Sequence, residues 1–216
     1  MGTEYELKYT ATEAVLEDIA GAMDTPPCVL EMETTYYDTL MDDFHRRHYT
    51  LRRRMENGVS VCTLKTPADG GARNEWETNA PDILSAIPGL LALGCPKELE
   101  EMVREGLVEV CGARFTRRSY RVVFRDSLLE LALDRGVLVG GGLLLPLVEV
   151  EVELKSGTRE DAQAYAAILA RRYALTPQLS SKFHRALELA LELALEQAAP
   201  MGGPRIRPFS EKEEKA

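Results

Sequence analysis

The sequence is most informative where it reads VEVEVELK, at residues 148–155. Its charged and apolar positions alternate, with Glu149, Glu151, Glu153 and Lys155 set against Val150, Val152 and Leu154. Because successive side chains of a β-strand point to opposite faces, this segment would have one charged face and one apolar face. The alternation therefore predicts a β-strand that is buried on one side only.

Seven further segments show strand patterns. Together with the first, the predicted strands cover residues 3–10, 31–38, 49–56, 59–66, 73–78, 113–124, 128–133 with 137–139, and 147–155. Asn57-Gly58, a dipeptide typical of tight β-hairpins, joins two of them. Because hairpins join antiparallel neighbours, these eight strands predict an antiparallel sheet.

Five helical segments are predicted between and after the strands, at residues 12–22, 82–93, 97–105, 158–173 and 183–198. In the last one, Glu188, Glu192 and Glu196 form a single stripe, and leucines cover most of the remaining surface. An apolar face this wide usually packs on its own domain, and a homodimer contact is the alternative. Residues 199–216 are polar and rich in glycine and proline, so we expect one domain at 1–198 followed by a flexible tail.

Charged residues share one face in six of the predicted strands. On a single strand, such a pattern indicates a sheet with one solvated face. Here acids dominate the first and last strands, whereas bases dominate the strands between them. A closed eight-stranded antiparallel β-barrel with a charged interior explains this arrangement and leaves no exposed sheet edge. We therefore expect an α+β fold in which the helices pack on the outside of the barrel.

The charged interior predicts a particular chemistry. Two like charges about 4 Å apart repel by about 4 kcal/mol at an effective dielectric constant of 20, so the interior carboxylates need cations. Mg²⁺ or Mn²⁺ suits them, because these ions accept oxygen ligands from carboxylates and phosphates together. The arginines and lysines would then be left to bind an anion. Divalent ions together with a polyphosphate would satisfy both sets.

Composition and charge narrow the classes of function. The chain of 216 residues is 45% hydrophobic and 28% charged, which is typical of a folded domain. Its formal net charge of −9 opposes non-specific binding to nucleic acid. No segment has the ~18 apolar residues of a membrane helix, and the first residues lack an apolar signal core. We therefore expect a cytoplasmic protein with neither a nucleic-acid nor a membrane partner.

An ordered series of motifs resembles the CYTH superfamily, the triphosphate tunnel metalloenzymes. It runs from Glu4-x-Glu6-x-Lys8 through TTYYDT at 34–39, LRRR at 51–54, TLK at 63–65, RNEWE at 73–77, Arg117-x-x-Tyr120, ELALDRG at 130–136 and EVEVELKSG at 149–157 to Ser181-Lys182. The series covers residues 1–187 and is most similar to the bacterial inorganic triphosphatases. The resemblance implies an eight-stranded tunnel.

The resemblance also implies roles for individual residues. The phosphates would be held by Lys8, Arg52, Arg54, Lys65, Arg117 and Lys182. The metal ligands would be Glu4, Glu6, Asp134, Glu149, Glu151 and Glu153. The catalytic set would be Glu4, Glu6, Lys8, Lys65 and Lys182. Further candidates are Arg73, Glu75, Glu77, Glu130 and Arg121, the last because Arg118 and Arg121 lie close to Arg117 in the chain.

The expected activity is metal-dependent hydrolysis of inorganic triphosphate, a small molecule, to pyrophosphate and phosphate. One set of alternatives consists of nucleoside or thiamine triphosphate hydrolysis and a class IV adenylate cyclase. A cyclase would need a pocket for the base, for which the sequence gives no indication. A non-catalytic polyphosphate-binding module is the other alternative. Such a module would keep the cations and lose some acids, whereas this chain has both.

Overall fold

The computed structural model describes residues 2–104 and 106–198, the last five of them by their backbone. Within these residues the fold is α+β, with a strongly curled antiparallel sheet and helices. The strands are β1 (Gly2–Glu4), β2 (Glu6–Thr10), β3 (Cys28–Asp38), β4 (Thr50–Glu56), β5 (Val59–Pro67), β6 (Arg73–Asn79), β7 (Val108–Phe124), β8 (Ser127–Gly140), β9 (Leu143–Ser156) and β10 (Thr176–Pro177).

The described residues also form six α-helices. They are α1 (Glu13–Gly21), α2 (Asp43–Arg46), α3 (Ile83–Ala92), α4 (Glu98–Arg104), α5 (Arg159–Tyr173) and α6 (Lys182–Ala198). None of these helices has the length and hydropathy needed to cross a membrane. The predicted tail at 199–216 and the predicted helix end at residue 105 lie outside the described residues.

The strand order is β1-β6-β5-β4-β3-β7-β8-β9-β2-β10, and each neighbouring pair is antiparallel. The segment predicted as one strand at 3–10 is divided at Tyr5, because β1 pairs with β6 whereas β2 pairs with β9. This division and the short β10 turn the predicted eight strands into ten. The remaining predicted strands are all present, and 128–133 with 137–139 form the continuous strand β8.

The predicted hairpin between β4 and β5 is confirmed. Asn57 and Gly58 have φ values of 48° and 85°, in the left-handed region that a tight hairpin turn requires. Asn57 also anchors the turn to β3, because its side-chain oxygen accepts a hydrogen bond of 2.8 Å from the Glu31 amide. The turn therefore fixes the register in which β4 carries its arginines.

Two pairs of helices cover different parts of the outer face of the sheet. Helices α3 and α4 pack on β4–β6, where Trp76 is buried beside Leu90. Helices α1 and α5 pack on β8 and β9, where Val150 and Val152 contact the cluster that contains Ile19. Fully burying each such side chain contributes about 1.5–3 kcal/mol, so the apolar strand faces anchor these helices.

Helix α6 contradicts the prediction that all helices pack outside. Its Lys182 and Arg185 contact acids on the charged face of β8 and β9, and Ala186 lies in an apolar cluster with Leu138 and Leu147. The close approach depends on Gly140, because a Cβ atom there would lie 2.1 Å from the Ala186 carbonyl oxygen. The concave side of the sheet is thus partly apolar and partly filled by α6.

A polar network fastens the start of α5 to the hairpin between β7 and β8. Thr158 caps the helix, since its hydroxyl accepts a hydrogen bond from the Asp161 amide. The buried Asp161 carboxylate accepts from Ser127 Oγ at 2.7 Å and from Arg125 Nη1 at 2.9 Å. These hydrogen bonds hold the pKa of Asp161 below its usual value of 3.8. The ionised carboxylate therefore stabilises the folded state.

Asp161→Asn should lower the melting temperature at pH 7, because the amide cannot replace the carboxylate as a double acceptor. The depressed pKa gives stability above about pH 4 that is lost as the pH falls through the folded-state value. The difference from the wild type should therefore shrink in melting curves recorded below pH 4. Asp18→Asn, at an exposed position of α1, is the control. An Asp161→Asn difference that persists unchanged at low pH would contradict this assignment.

Candidate active site

The inward face of the curled sheet surrounds a cavity of about 110 Å³. Its charged lining residues are Glu4, Glu6, Lys8, Arg52, Arg54, Lys65, Arg73, Arg117, Glu151 and Lys182. Its uncharged lining residues are Thr34, Tyr36, Thr50, Phe115, Ser181 and Phe183. Seven cations and three carboxylates thus line the cavity, a formal excess of positive charge, although the chain as a whole carries −9.

Strand alternation places these side chains. Arg52 and Arg54 are two residues apart on β4 and both line the cavity, whereas Arg53 between them hydrogen-bonds Ser60 Oγ on the other face of the sheet. Across β2 and β9, Lys8 lies directly opposite Glu151 in the register. The antiparallel ladder therefore fixes which cation faces which acid.

Three arginines of the cavity have nitrogen donors without partners. The Nε atoms of Arg52, Arg54 and Arg73 are buried and make no hydrogen bond to the described residues. Burial, followed by the nearby charge of Arg52, holds the pKa of Arg54 below its usual value. Each unsatisfied buried donor costs about 1–3 kcal/mol, so an anion that accepted these hydrogen bonds would be strongly favoured.

Behind the cavity lies an ion cluster of three acids and three cations. Asp134, Glu149 and Glu151 each place a carboxylate oxygen within 4.8 Å of the others. Arg117 binds Asp134 through two hydrogen bonds of 2.7 Å and also contacts Glu151. Lys182 Nζ lies 2.9, 2.7 and 2.5 Å from oxygens of Asp134, Glu149 and Glu151, and the contact to Glu151 is a hydrogen bond. Arg185 pairs with Glu149.

The cluster holds Lys182 and Glu151 in their charged forms. Burial alone would lower the pKa of Lys182, but Asp134 and Glu151 raise it well above its usual value. Burial likewise would raise the pKa of Glu151, but Lys182 and Arg117 bring it well below its usual value. The cluster therefore neutralises itself.

A second group of acids has fewer cations beside it than the ion cluster has. Glu6 on β2 lies opposite Glu153 on β9, which in turn lies opposite Glu130 on β8. Lys155 Nζ contacts Glu153 at 2.8 Å and Glu130 at 3.6 Å. Burial first, and then the charges of Glu4 and Glu130, raise the pKa of Glu153 despite this lysine. A further cation near this group would relieve that repulsion.

The structure brings most of the predicted site residues together. All six predicted phosphate ligands line the cavity, as do Arg73 and three of the predicted metal ligands, Glu4, Glu6 and Glu151. The other predicted residues are not in the lining of the cavity. Asp134 and Glu149 are fully buried in the ion cluster, and Glu153 and Glu130 contact Lys155. Glu75 contacts Lys65 and Arg52, Glu77 accepts a hydrogen bond from Thr63, and Arg121 is exposed.

Sequence reasoning missed several residues of the site. Tyr36 and Phe115 line the cavity, and Arg185 completes the ion cluster. Arg185 follows Lys182 by three positions, so both lie on one face of α6 and the spacing could have indicated it. Arg118, in contrast, pairs with Glu17 of α1 on the outer face, as strand alternation predicts.

Fold and site together define a protein in which a curled antiparallel sheet holds a small, strongly cationic cavity with acids at its border. A family model for the CYTH domain matches residues 2–187. This chain therefore belongs to the CYTH family, as the motif series indicated.

Known proteins are similar to this chain in sequence or in fold. An inorganic triphosphatase of Haemophilus influenzae is 31% identical over 134 residues, which are 61% of this chain and 38% of that protein. The chain thus matches less than half the length of this relative. The structure of HpAC1 from Hippeastrum, described as having a dominant triphosphatase activity, has a TM-score of 0.59 and 16% identity, covering 88% of this chain and 96% of that one.

A second structure gives the same result for the fold. The PH1819 protein of Pyrococcus horikoshii has a TM-score of 0.55 and 23% identity, covering 90% of this chain and 99% of that one. At these identities the likeness shows the fold.

Asp134→Asn should destabilise the protein by about 3 kcal/mol, because it removes a fully buried carboxylate from the ion cluster. Arg117 and Lys182 then lose one of the negative charges that offset their own. Urea denaturation at pH 7 measures the change. Glu33→Gln is the control, since its contact with Arg114 spans 3.8 Å between two largely exposed side chains and should be worth less than about 1 kcal/mol. Equal losses for the two variants would contradict the role of the cluster.

Proposed function

We propose that this chain is a metal-dependent inorganic triphosphatase, which hydrolyses triphosphate to pyrophosphate and phosphate. The observation that carries the proposal is the lining of a small cavity by seven cations against three carboxylates, with buried guanidinium donors that make no hydrogen bond to the described residues. Membership of the CYTH family and the triphosphatase relatives support it. The proposed substrate is a small molecule. The proposed location of the protein is the cytoplasm.

The cations would bind the substrate from opposite sides of the cavity. Arg52 and Arg54 offer planar donors that suit phosphate oxygens, with Lys65 beside them on β5. Arg117 and Lys182 approach from β7 and α6 and stay charged because the ion cluster holds them. Cations fixed before the substrate arrives stabilise the charge of a phosphoryl transition state without reorganising.

We extend the proposal to the shape of the sheet. The chain passes from pairing with β6 to pairing with β9 across the single residue Tyr5, so β1 and β2 together adjoin two distant members of the strand order. The proposal is that this segment closes the sheet into a tunnel around the triphosphate. A closed wall would exclude bulk water and strengthen every ionic contact inside.

The acids fit a divalent ion best near Glu4, Glu6 and Glu153. Their carboxylate oxygens are the ligands that Mg²⁺ and Mn²⁺ prefer, and burial, followed by the negative charges of Glu4 and Glu130, raises the pKa of Glu153. Asp134 and Glu149 would instead hold Arg117 and Lys182 in place. When bound, one or two ions would neutralise phosphate charge and lower the pKa of an attacking water.

Arg54→Gln and Arg52→Gln should each raise the KM for tripolyphosphate about 10- to 100-fold, since a charge-assisted hydrogen bond is worth about 1.5–3 kcal/mol. Arg53→Gln, one residue away but on the outer face, is the matched control and should stay close to the wild type. Phosphate release with Mg²⁺ or Mn²⁺ measures the effect. An equal loss in all three variants would argue against binding in this cavity.

The same assay separates the alternative functions. Tripolyphosphate, ATP and thiamine triphosphate would be compared at equal concentrations. Faster release from ATP or thiamine triphosphate would redirect the substrate assignment. Formation of cyclic AMP without orthophosphate would identify a cyclase. Binding of tripolyphosphate without release would identify a non-catalytic module.

Glu6→Gln should raise the Mn²⁺ concentration needed for half-maximal activity by about tenfold or more, because loss of even an outer-shell partner costs 10- to 100-fold in metal affinity. Calorimetric titration of the substrate-free protein with Mn²⁺ gives a reading that does not depend on turnover. Glu100→Gln, in an exposed pair with Arg104 on α4, is the control. Unchanged Mn²⁺ binding by Glu6→Gln would remove Glu6 from the proposed ligands.

A further inference from the structure

Tyr5 occupies the junction at which the N-terminal segment changes partners. Glu4 on one side ends β1, which pairs with β6, and Glu6 on the other begins β2, which pairs with β9. Both glutamates line the cavity. Because neighbouring side chains of an extended chain point to opposite faces, the Tyr5 ring lies on the outer side, where it packs against the cluster of α1 and α5. The position of Tyr5 therefore sets the positions of two of the three cavity carboxylates.

Three contacts hold Tyr5 at this junction, one through its backbone and two through its side chain. Its carbonyl oxygen accepts a hydrogen bond of 2.9 Å from the Leu154 amide of β9. Its hydroxyl accepts one of 2.8 Å from Gln163 Nε2 of α5. The guanidinium carbon of Arg159, the first residue of α5, lies 4.9 Å from the ring centroid in a cation–π contact.

Arg159 also reaches the turn between β5 and β6. Its Nη1 donates to the Gly70 carbonyl oxygen and its Nη2 to the Asp69 carbonyl oxygen, both at 3.2 Å. Gly70 has a φ of 65°, and a Cβ atom there would lie 2.3 Å from Arg159 Nη1, so only glycine allows this approach. The turn leads directly into Arg73 of β6, which lies opposite Glu4 in the register.

One side chain therefore connects the three elements that meet at this junction: the N-terminal segment, the turn from β5 to β6, and α5. We infer that Arg159 is a positioning residue, which fixes Glu4 and Glu6 at the cavity by clamping Tyr5 against the turn that precedes Arg73. The inference rests on the proposed function for its effect on turnover. The clamp itself can be tested without activity.

The first experiment measures hydrogen exchange in the substrate-free and metal-free protein. In Arg159→Ala, the Leu154 amide and the amides of β1 should exchange about 5- to 30-fold faster, as expected for the loss of a local restraint. Arg172→Ala is the matched control, because Arg172 makes a cation–π contact with Tyr173 at 5.2 Å on the same helix, away from the junction. Equal exchange of these amides in the two variants would overturn the inference.

The second experiment measures metal binding and turnover. Arg159→Ala should weaken Mn²⁺ binding by the substrate-free protein about tenfold and raise the Mn²⁺ requirement of triphosphatase activity in parallel, while Arg172→Ala leaves both unchanged. Arg159→Lys should bind Mn²⁺ more tightly than Arg159→Ala and less tightly than the wild type. Its ammonium group keeps the cation–π contact but can donate to only part of the turn. Tyr5→Phe should resemble the wild type more closely than Tyr5→Leu, because the ring is retained.

The outcomes separate the two claims. If the wild type releases no phosphate from tripolyphosphate but Arg159→Ala still speeds exchange at Leu154 and weakens Mn²⁺ binding, the proposed function fails and the clamp stands. If the wild type is active and Arg159→Ala matches Arg172→Ala in exchange and in Mn²⁺ binding, the clamp fails and the proposed function stands. A general loss of stability would lower the melting temperature of Arg159→Ala without shifting its Mn²⁺ requirement, and this result also contradicts the clamp.

Discussion

A buried cation is stable only beside a carboxylate, and this constraint organises the concave side of the sheet. Removing a charged group from water costs several kcal/mol, so Arg117 and Lys182 could not be largely buried alone. Asp134 and Glu149, both with no exposed surface, supply the compensation. These two acids therefore explain how long strands from the sheet and the first turn of α6 can meet in the interior.

The pairing of cations with acids differs between the two sides of the cavity. On the side of β8 and β9, each acid of the ion cluster has a cation within contact distance. On the side of β4 and β6, the Nε atoms of Arg52 and Arg73 make no hydrogen bond within the described part of the chain. The lining of the cavity has seven cations against three acids, whereas the ion cluster has three of each. A negative net charge elsewhere on the chain does not cancel this local excess of positive charge, because buried charges are screened far less than exposed ones.

The sequence predicted those features that depend on alternation within one strand. Residues 148–155 show a charged and an apolar face, and the same alternation sets Arg52 and Arg54 on one face of β4 and Arg53 on the other. It could not predict features that depend on which strands meet. The division at Tyr5 follows from a change of partner, which no local pattern encodes. Nor could it tell that Glu149 would face Arg185, since a carboxylate in an alternating strand has the same sequence pattern whether its partner is a metal ion or a cation.

The two sides of the cavity differ in how firmly they are supported. The cations of β4 and β5 lie on strands of seven and nine residues that are paired on both edges. Glu4, in contrast, belongs to a strand of three residues. Any ion that binds Glu4 and Glu6 would therefore stabilise the docking of this segment by mass action, since binding to the docked form alone shifts the equilibrium towards it. Metal binding and completion of the cavity wall are thus expected to be one coupled equilibrium, in which the contacts of Tyr5 set the starting point.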